Sequence, residues 1–422
     1  MNCTIYDSYV DLLRRELVPA LGCTEPIAIA FTTAKAREVL GKEPEHIAMH
    51  CSGNIIKNVQ GVTVPTSGGL RGIAVAAILG AVGGNPEKNL EVLTEINDAH
   101  RARMRKLLDK EICSCDLAEN VDNLYILAVL TADGETAAVE VSGSHTNITK
   151  IIKNGKTLYS APLENKRTAA DKSLLSFNDI IDFGETVEIS EIEDVISRQI
   201  QYNEAIADEG LRGKYGVNVG KELMERYDPT DVRIRARARA AAGSDARMGG
   251  CSMPVVINSG SGNQGMTASI PVITYARELG VEDEKMYRAL ALSNLIAIHQ
   301  KTGIGTLSAY CGAMSAGVGA GCGIAYLLGA DLEAIKHTIV NAVVTVSGII
   351  CDGAKASCAA KIATAVNAGI TGYYMYLNVN NFNPGDGIVG KDVEETIKNV
   401  GRLASEGMKD TNDTIIKIMI GE

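Results

Sequence analysis

Residues 307–330 read LSAYCGAMSAGVGAGCGIAYLLGA, without a single charged side chain. A run of that length can cross a bilayer. Its composition points elsewhere, because Gly, Ala and Ser supply most of it and it stands almost alone in the chain. A helix that is apolar on every side belongs in the middle of a protein, and small residues let its neighbours come close. The run therefore reads as the buried central helix of a helical unit.

The remaining composition agrees. Of 422 residues, 46% are hydrophobic, yet Trp is absent and Phe occurs four times, so Ala, Val, Ile, Leu and Met must pack closely against 43 glycines. The length exceeds one compact core, and two domains are expected. A net charge of -10 comes with no basic stripe and no RNP-like aromatics, which argues against nucleic acid and anionic membrane as partners. A small-molecule substrate is the expectation, in a cytoplasmic, non-membrane protein. Residues 1–20, MNCTIYDSYVDLLRRELVPA, carry acids and arginines where a secretory signal needs an apolar run.

Outward from the central run, the pattern changes twice. Residues 5–40 read as two helices broken around PALGCTEP, with Pro26 in a first turn. Cys23 then lies at a helix start, where backbone N–H groups and the dipole favour a thiolate. EHIAMHCSG reads as a strand, SGNIIKNVQGVTVPTSGGLRG as loop, IAVAAILGAVGG as a helix, and residues 88–110 as a charged amphipathic helix. NLYILAVLTADGETAAVEVSG predicts a hairpin turning at Asp133 and Gly134, and TKIIKNGKTLYSA another at Asn154 and Gly155. Residues 41–190 thus form an α/β unit with an antiparallel sheet.

From 191 to 422 the periodicity is helical, with no strand, and is interrupted by GSDARMGGCSMPVVINSGSGNQG, KTGIG, SGIICDGAKASC and FNPGDGIVG. The expected fold class is α+β, a small α/β domain beside a larger all-helical one. Residues 1–40 are expected to pack on the helical domain and bring Cys23 to the C-terminal cysteines, with the polar breaks meeting inside.

Ten cysteines in a reducing compartment are expected to be free, and none forms a CxxC pair. Cys3, Cys113, Cys115 and Cys322 read as small packed hydrophobes. Cys23, Cys311, Cys351 and Cys358 sit beside polar or glycine-rich breaks. The loop SGSGNQG, residues 259–265, offers successive backbone N–H groups to an anion at a helix start. It is not a P-loop and no distant acid completes a dinucleotide fingerprint, so a carboxylate is the better-sized guest.

PALGCTEPIAIA, SGNIIKNVQGVTVP, GSHTNI, SDARMGG, NSGSGNQG, LSAYCG and ICDGAKASCA follow one another in an order and spacing that resembles the L-cysteine desulfidase family. These are relatives of the iron-sulfur L-serine dehydratases, and the resemblance covers essentially the whole chain. It implies a serine-dehydratase-like fold and an oxygen-sensitive [4Fe-4S] enzyme, independent of pyridoxal phosphate. L-cysteine would undergo β-elimination to pyruvate, ammonia and hydrogen sulfide. By motif the cluster ligands would be Cys23, Cys311 and Cys351, three thiolates that leave one iron open as a Lewis acid. Cys358 is the rival ligand or a sulfur relay.

For the substrate carboxylate the resemblance offers Ser259, Ser261, Asn263 and Gln264 with Asn54, Lys57 and Asn58, and adds Thr146 and Asn147 of GSHTNI. Arg247, with Ser244 and Asp245, is either a carboxylate clamp or a structural tie in which Asp245 caps a helix. Lys301 and His145 are the two candidate bases, with His299 third. Asp352 is expected to order the ligand loop. L-serine dehydration by the same cluster, or a non-catalytic iron-sulfur carrier or sensor, are the alternatives, and the small-residue helices suggest a homodimer.

Overall fold

The computed structural model describes residues 2–161 and 172–421. The chain opens with α1 (Cys3–Glu16), β1 (Pro19–Leu21), α2 (Thr24–Leu40), β2 (His46–Cys51), α3 (Gly53–Gln60), α4 (Ile73–Gly83) and α5 (Asp98–Leu108). Strands β3 (Cys113–Leu117), β4 (Tyr125–Ala132), β5 (Glu135–Ser142), β6 (Ile148–Lys153) and β7 (Lys156–Ser160) follow. The helical part comprises α6 (Phe177–Thr186), α7 (Ile189–Arg212), α8 (Val219–Arg226), α9 (Val232–Met248), α10 (Gly262–Leu279), α11 (Asp283–Ile304), α12 (Gly312–Leu327), α13 (Leu332–Val346), α14 (Ser357–Leu377), α15 (Val393–Arg402) and α16 (Lys409–Ile420), with β8 (Pro254–Val256) before α10. The fold is α+β.

The six-stranded sheet has the order β3-β2-β4-β5-β6-β7. Alternation along β4 buries Ile126, Ala128, Leu130 and Ala132 on one face, and α2 packs on β4 and β5 with α4 beside it. Both predicted hairpins turn where expected, with Asp133 and Gly134, and Asn154 and Gly155, all at positive φ. Two consecutive positive φ values match the twist of the flanking strands, and Asn-Gly or Asp-Gly adopts them at little cost.

In the helical part α12 is the axis, packed against α10, α11, α13 and α14. Residues 313–325 of it are all buried. Its glycines permit this: a Cβ on Gly321 would stand 2.6 Å from the Cα of Gly369, and one on Gly369 would stand 2.2 Å from the Gly317 carbonyl oxygen. Among the described residues no helix is long and apolar enough to cross a membrane.

Four readings of the sequence are corrected. Residues 254–256 form a strand, since β8 pairs antiparallel with β1 (Pro19↔Val256, Leu21↔Pro254); three residues carry no periodicity, and their partner is far away in the chain. Residues 53–60, read as loop, are the helix α3, stabilised by burying Ile55 and Val59 one turn apart rather than by propensity. The helix expected over 88–110 spans only Asp98–Leu108, because Asn97 and His100 close a capping box at its start. The sheet is mixed, with β2 and β3 parallel. Within residues 1–40, α1 packs on α6, α7 and α11 while α2 lies on the sheet. The unit expected over 41–190 includes residues 162–171, which lie outside the described residues.

The close approach of α12 and α14 makes a sharp prediction. Gly369→Ala forces backbone apart and is expected to cost about 1–3 kcal/mol, read as a lower denaturation midpoint at unchanged m. At Gly348 a Cβ meets nothing within 4 Å, and Gly348→Ala should stay within about 0.5 kcal/mol of wild type. Equal losses in the two variants would contradict this packing.

Candidate active site

Four helix starts converge on one pocket. The β1–β8 pair lays the starts of α2 and α10 side by side, so that the Thr24 hydroxyl is 3.0 Å from the Gly260 carbonyl oxygen. Cys23 occupies the N-cap of α2 and Ser261 that of α10. Cys311 is the N-cap of α12, and Cys358 sits in the first turn of α14. The breaks carrying Cys311 and Cys351 are stitched together, Cys311 N–H donating to Ile349 at 3.2 Å and Cys351 N–H to Ala309 at 2.6 Å.

The pocket is lined by Cys23, Cys311, Cys351 and Cys358 together with Asn58, His145, Arg247, Lys301, Ser259, Ser261, Asn263 and Gln264. Glu25 and Tyr310 line it too. The sequence reading passed over Glu25, although a carboxylate directly ahead of the apolar run 26–31 was the available signal. Ser259 adopts φ 49° and Gly260 φ 76°, which turns the loop toward His145; a Cβ on Gly260 would lie 3.2 Å from its Cε1. Arg247 is buried and its Nε donates to the Gly22 carbonyl at 2.8 Å. Ser244 donates to Asn263 Oδ1.

Other expected residues stand elsewhere. Thr146 and Asn147 line a separate pocket with Phe31 and Tyr159, the Asn147 amide being spent on the Ser142 carbonyl. His299 pairs with Glu394 at 2.9 Å, held there by α15. Lys57 is buried and reaches Asn412 Oδ1 at 2.7 Å and the Cys351 carbonyl at 3.4 Å, which makes it a brace for the Cys351 loop. Asn54 donates to Asn123, which in turn donates to the Leu307 carbonyl. Asp245 accepts from Gly220 N–H in the first turn of α8, the capping alternative, and burial raises its pKa to about 6. Asp352 ties the ligand loop to Lys355 and Lys361; burial opposes its charge, yet the two ammonium groups bring it down to about 2. Cys322 is fully buried inside α12.

Electrostatics reverse one expectation. The helix start does not make Cys23 a thiolate: burial, and then the charge of Glu25, push its pKa well above the ordinary value against the pull of Arg247. Burial also lifts Cys311 to about 12, with Cys351 and Cys358 adding to the rise, and raises Cys358, where Cys351 contributes again. Cys351 thus adds to the rise of both Cys311 and Cys358, while the main charged influences on Cys23 are Glu25 and Arg247; Arg247 acts on Cys358 as well, and Cys358 packs against Cys23. Burial lowers Lys301 to about 8, although Cys351 and Cys311 resist this. It lowers His145 as well, against Glu25.

Thiols are soft donors that suit iron-sulfur chemistry. Among the described residues no three His, Cys, Asp or Glu side chains converge on a single ion. Cysteines drawn from separate segments around one pocket fit a bulkier inorganic core better than one ion, and loading it must release protons from these raised thiols.

Residues 87–417 match the family model described as the serine dehydratase alpha chain. The chain belongs to that family. It is 50% identical over 417 residues to a UPF0597 protein of Lachnoclostridium phytofermentans, covering 99% of this chain and 100% of the relative. It is 49% identical over 419 residues to one of Desulfitobacterium hafniense, 99% of this chain and 97% of the relative. It is 43% identical over 422 residues to one of Treponema denticola, 98% of each. The serine dehydratase alpha chain family is iron-sulfur dependent and lyase-like. Lys301, Arg247, Cys311, Cys351 and Cys358 all fall within the matched span.

Exposure ranks the thiols for a chemical probe. In metal-free protein, iodoacetamide should modify half-buried Cys351 at least about tenfold faster than Cys23 and Cys311, which are 1% and 8% exposed. Peptide mass spectrometry against time reads the order, and equal rates would contradict the burial described.

Proposed function

We propose that this chain is a [4Fe-4S]-dependent L-cysteine desulfidase that eliminates hydrogen sulfide from L-cysteine. The observation that carries the reading is a single pocket lined by Cys311, Cys351 and Cys358 and also by Arg247, the start of α10 and Lys301. Cys311, Cys351 and Cys358, of which Cys351 adds to the rise of both others, are the ligands this arrangement favours, and Cys23 becomes the fourth thiol, facing substrate. A cluster held by three thiolates supplies one open iron, a Lewis acid for a leaving sulfur.

The chain's own residues do the rest. Arg247 and the N–H groups at the start of α10 hold the substrate carboxylate and stabilise charge that develops next to it. Lys301, brought to about 8 by burial, is the base for the Cα proton. As the Cα–H and Cβ–S bonds break, the electron pair forms the Cα=Cβ bond and sulfide departs. The aminoacrylate left behind tautomerises and hydrolyses to pyruvate and ammonia. A second reading of the base rests on the Cys23 thiol, which donates to Glu25 at 3.0 Å and so forms a pair able to pass a proton. For the substrate, the softer sulfur suits iron, whereas the match to a serine dehydratase alpha chain favours L-serine.

Protein purified without oxygen, assayed for iron, acid-labile sulfide and pyruvate, tests the reading. L-cysteine should give multiple turnovers and L-serine few; a reversed preference makes the chain a dehydratase, and one stoichiometric burst of sulfide makes it a carrier. Cys311→Ser, Cys351→Ser and Cys358→Ser should each lose iron, whereas Cys23→Ser keeps it. Lys301→Met should lower kcat by about 10²–10⁴. Because the base acts unprotonated, wild-type kcat should rise through a limb near pH 8 that Lys301→Met lacks. A limb that remains in Lys301→Met at clearly higher pH and vanishes in Cys23→Ser moves the role to Cys23.

A further inference from the structure

An amino acid presents an ammonium group as well as a carboxylate, and the pocket holds a pair of acceptors, on Glu25 and Asn58, that no cation among the described residues contacts. Glu25 is 8% exposed, and among the described residues it has no ion-pair partner within 4.0 Å. Its Oε2 accepts from the Cys23 thiol at 3.0 Å and lies 3.1 Å from the Thr24 hydroxyl. That hydroxyl has one proton to divide between Glu25 and the Gly260 carbonyl. Oε1 accepts the Asn58 amide at 3.0 Å, and an oxygen of a carboxylate can accept more than one donor.

The same bond fixes the orientation of Asn58, since a carboxylate can only accept. Its nitrogen faces Glu25, and its Oδ1 is left buried without a partner. An unused acceptor cannot hold a carboxylate, which removes Asn58 from the carboxylate-binding set expected from the sequence. It can take an N–H donor. His145 Nε2, close enough to Glu25 to feel its charge, is also without a partner. Arg247 and His145 act on the Glu25 charge only from a distance; a buried carboxylate without a close ion pair, beside a buried acceptor without a donor, is costly, and a bound cation with several N–H groups lowers that cost.

We infer that Glu25 Oε1 and Asn58 Oδ1 form the seat of the substrate's α-ammonium group, so that the site selects zwitterions over simple carboxylic acids. The inference rests on reading the chain as an amino-acid lyase. It fixes the polarity of the substrate, with its ammonium end at the start of α2 and its carboxylate at Arg247 and α10.

The test compares L-alanine, which has both charges and no leaving group, with propionate, which lacks the ammonium. Binding to the anaerobic, cluster-loaded protein is measured by calorimetry, independently of turnover. Wild type should bind L-alanine at least about tenfold more tightly than propionate, and Glu25→Gln should lose about 10- to 100-fold for L-alanine with propionate unchanged, as expected for a charged hydrogen bond. Asn58→Ala, which spares the carboxylate, should lose a smaller factor with the same selectivity, and decides the matter if Glu25→Gln does not fold. Parallel loss of both ligands in a folded variant, unaltered L-alanine binding, or a wild type without preference overturns the inference. Selective L-alanine binding in a protein that yields no pyruvate from either L-cysteine or L-serine would instead refute the lyase reading and leave the ammonium seat standing.

Discussion

Everything at the site depends on how closely α12 and α14 approach. Gly317 meets Ala365 and Gly321 meets Gly369, so the contacts advance by four residues on both helices. Helices in that register run parallel. Their starts therefore lie at the same end, and it is there that Cys311 and Cys358 stand. Any side chain at these glycines would separate the helices and the two thiols with them. The small-residue composition is thus a condition for the chemistry as much as for packing.

Two opposed electrostatic effects meet where the helix starts converge. Each helix dipole contributes about 0.3–1 kcal/mol toward an anion, up to about 2 in a favourable site. Desolvation of a fully buried group can shift a pKa by about 3–5 units, and each unit is about 1.4 kcal/mol. Burial wins, which is why Cys23 and Cys311 are raised rather than lowered. Lys301 obeys the same rule with the opposite sign: desolvation discourages its positive charge and brings it to about 8, within reach of the pH at which a base must work. One dry pocket thus raises Cys23, Cys311 and Cys358 and lowers Lys301.

Features decided locally were legible in the sequence. The Asp-Gly and Asn-Gly hairpins, the chargeless central helix and the cysteines beside glycine breaks each carry their cause within a few residues. Features decided by distant partners were not. β8 exists because Pro19–Leu21 lies beside it, and α3 because Ile55 and Val59 find a core. His299 looked catalytic beside Lys301, but α15 supplies Glu394 to hold it. Which end of the Asn58 amide is free was not legible, since only its bond to Glu25 shows it. Glu25 itself was hidden by its neighbours, being read as part of a helix start and not as a buried charge.

The lining of the pocket runs from Cys23 to Ile362, and Lys57 is anchored by Asn412 in α16. During synthesis the first of these residues leaves the ribosome well before the last has been added. At about 5–20 residues per second the interval is roughly 20 to 80 s. Cys358, which packs against Cys23 in the finished chain, is added only near its end. The pocket is therefore completed only after its last segment has been made, and until then Cys23 lacks part of the lining that surrounds it in the finished chain.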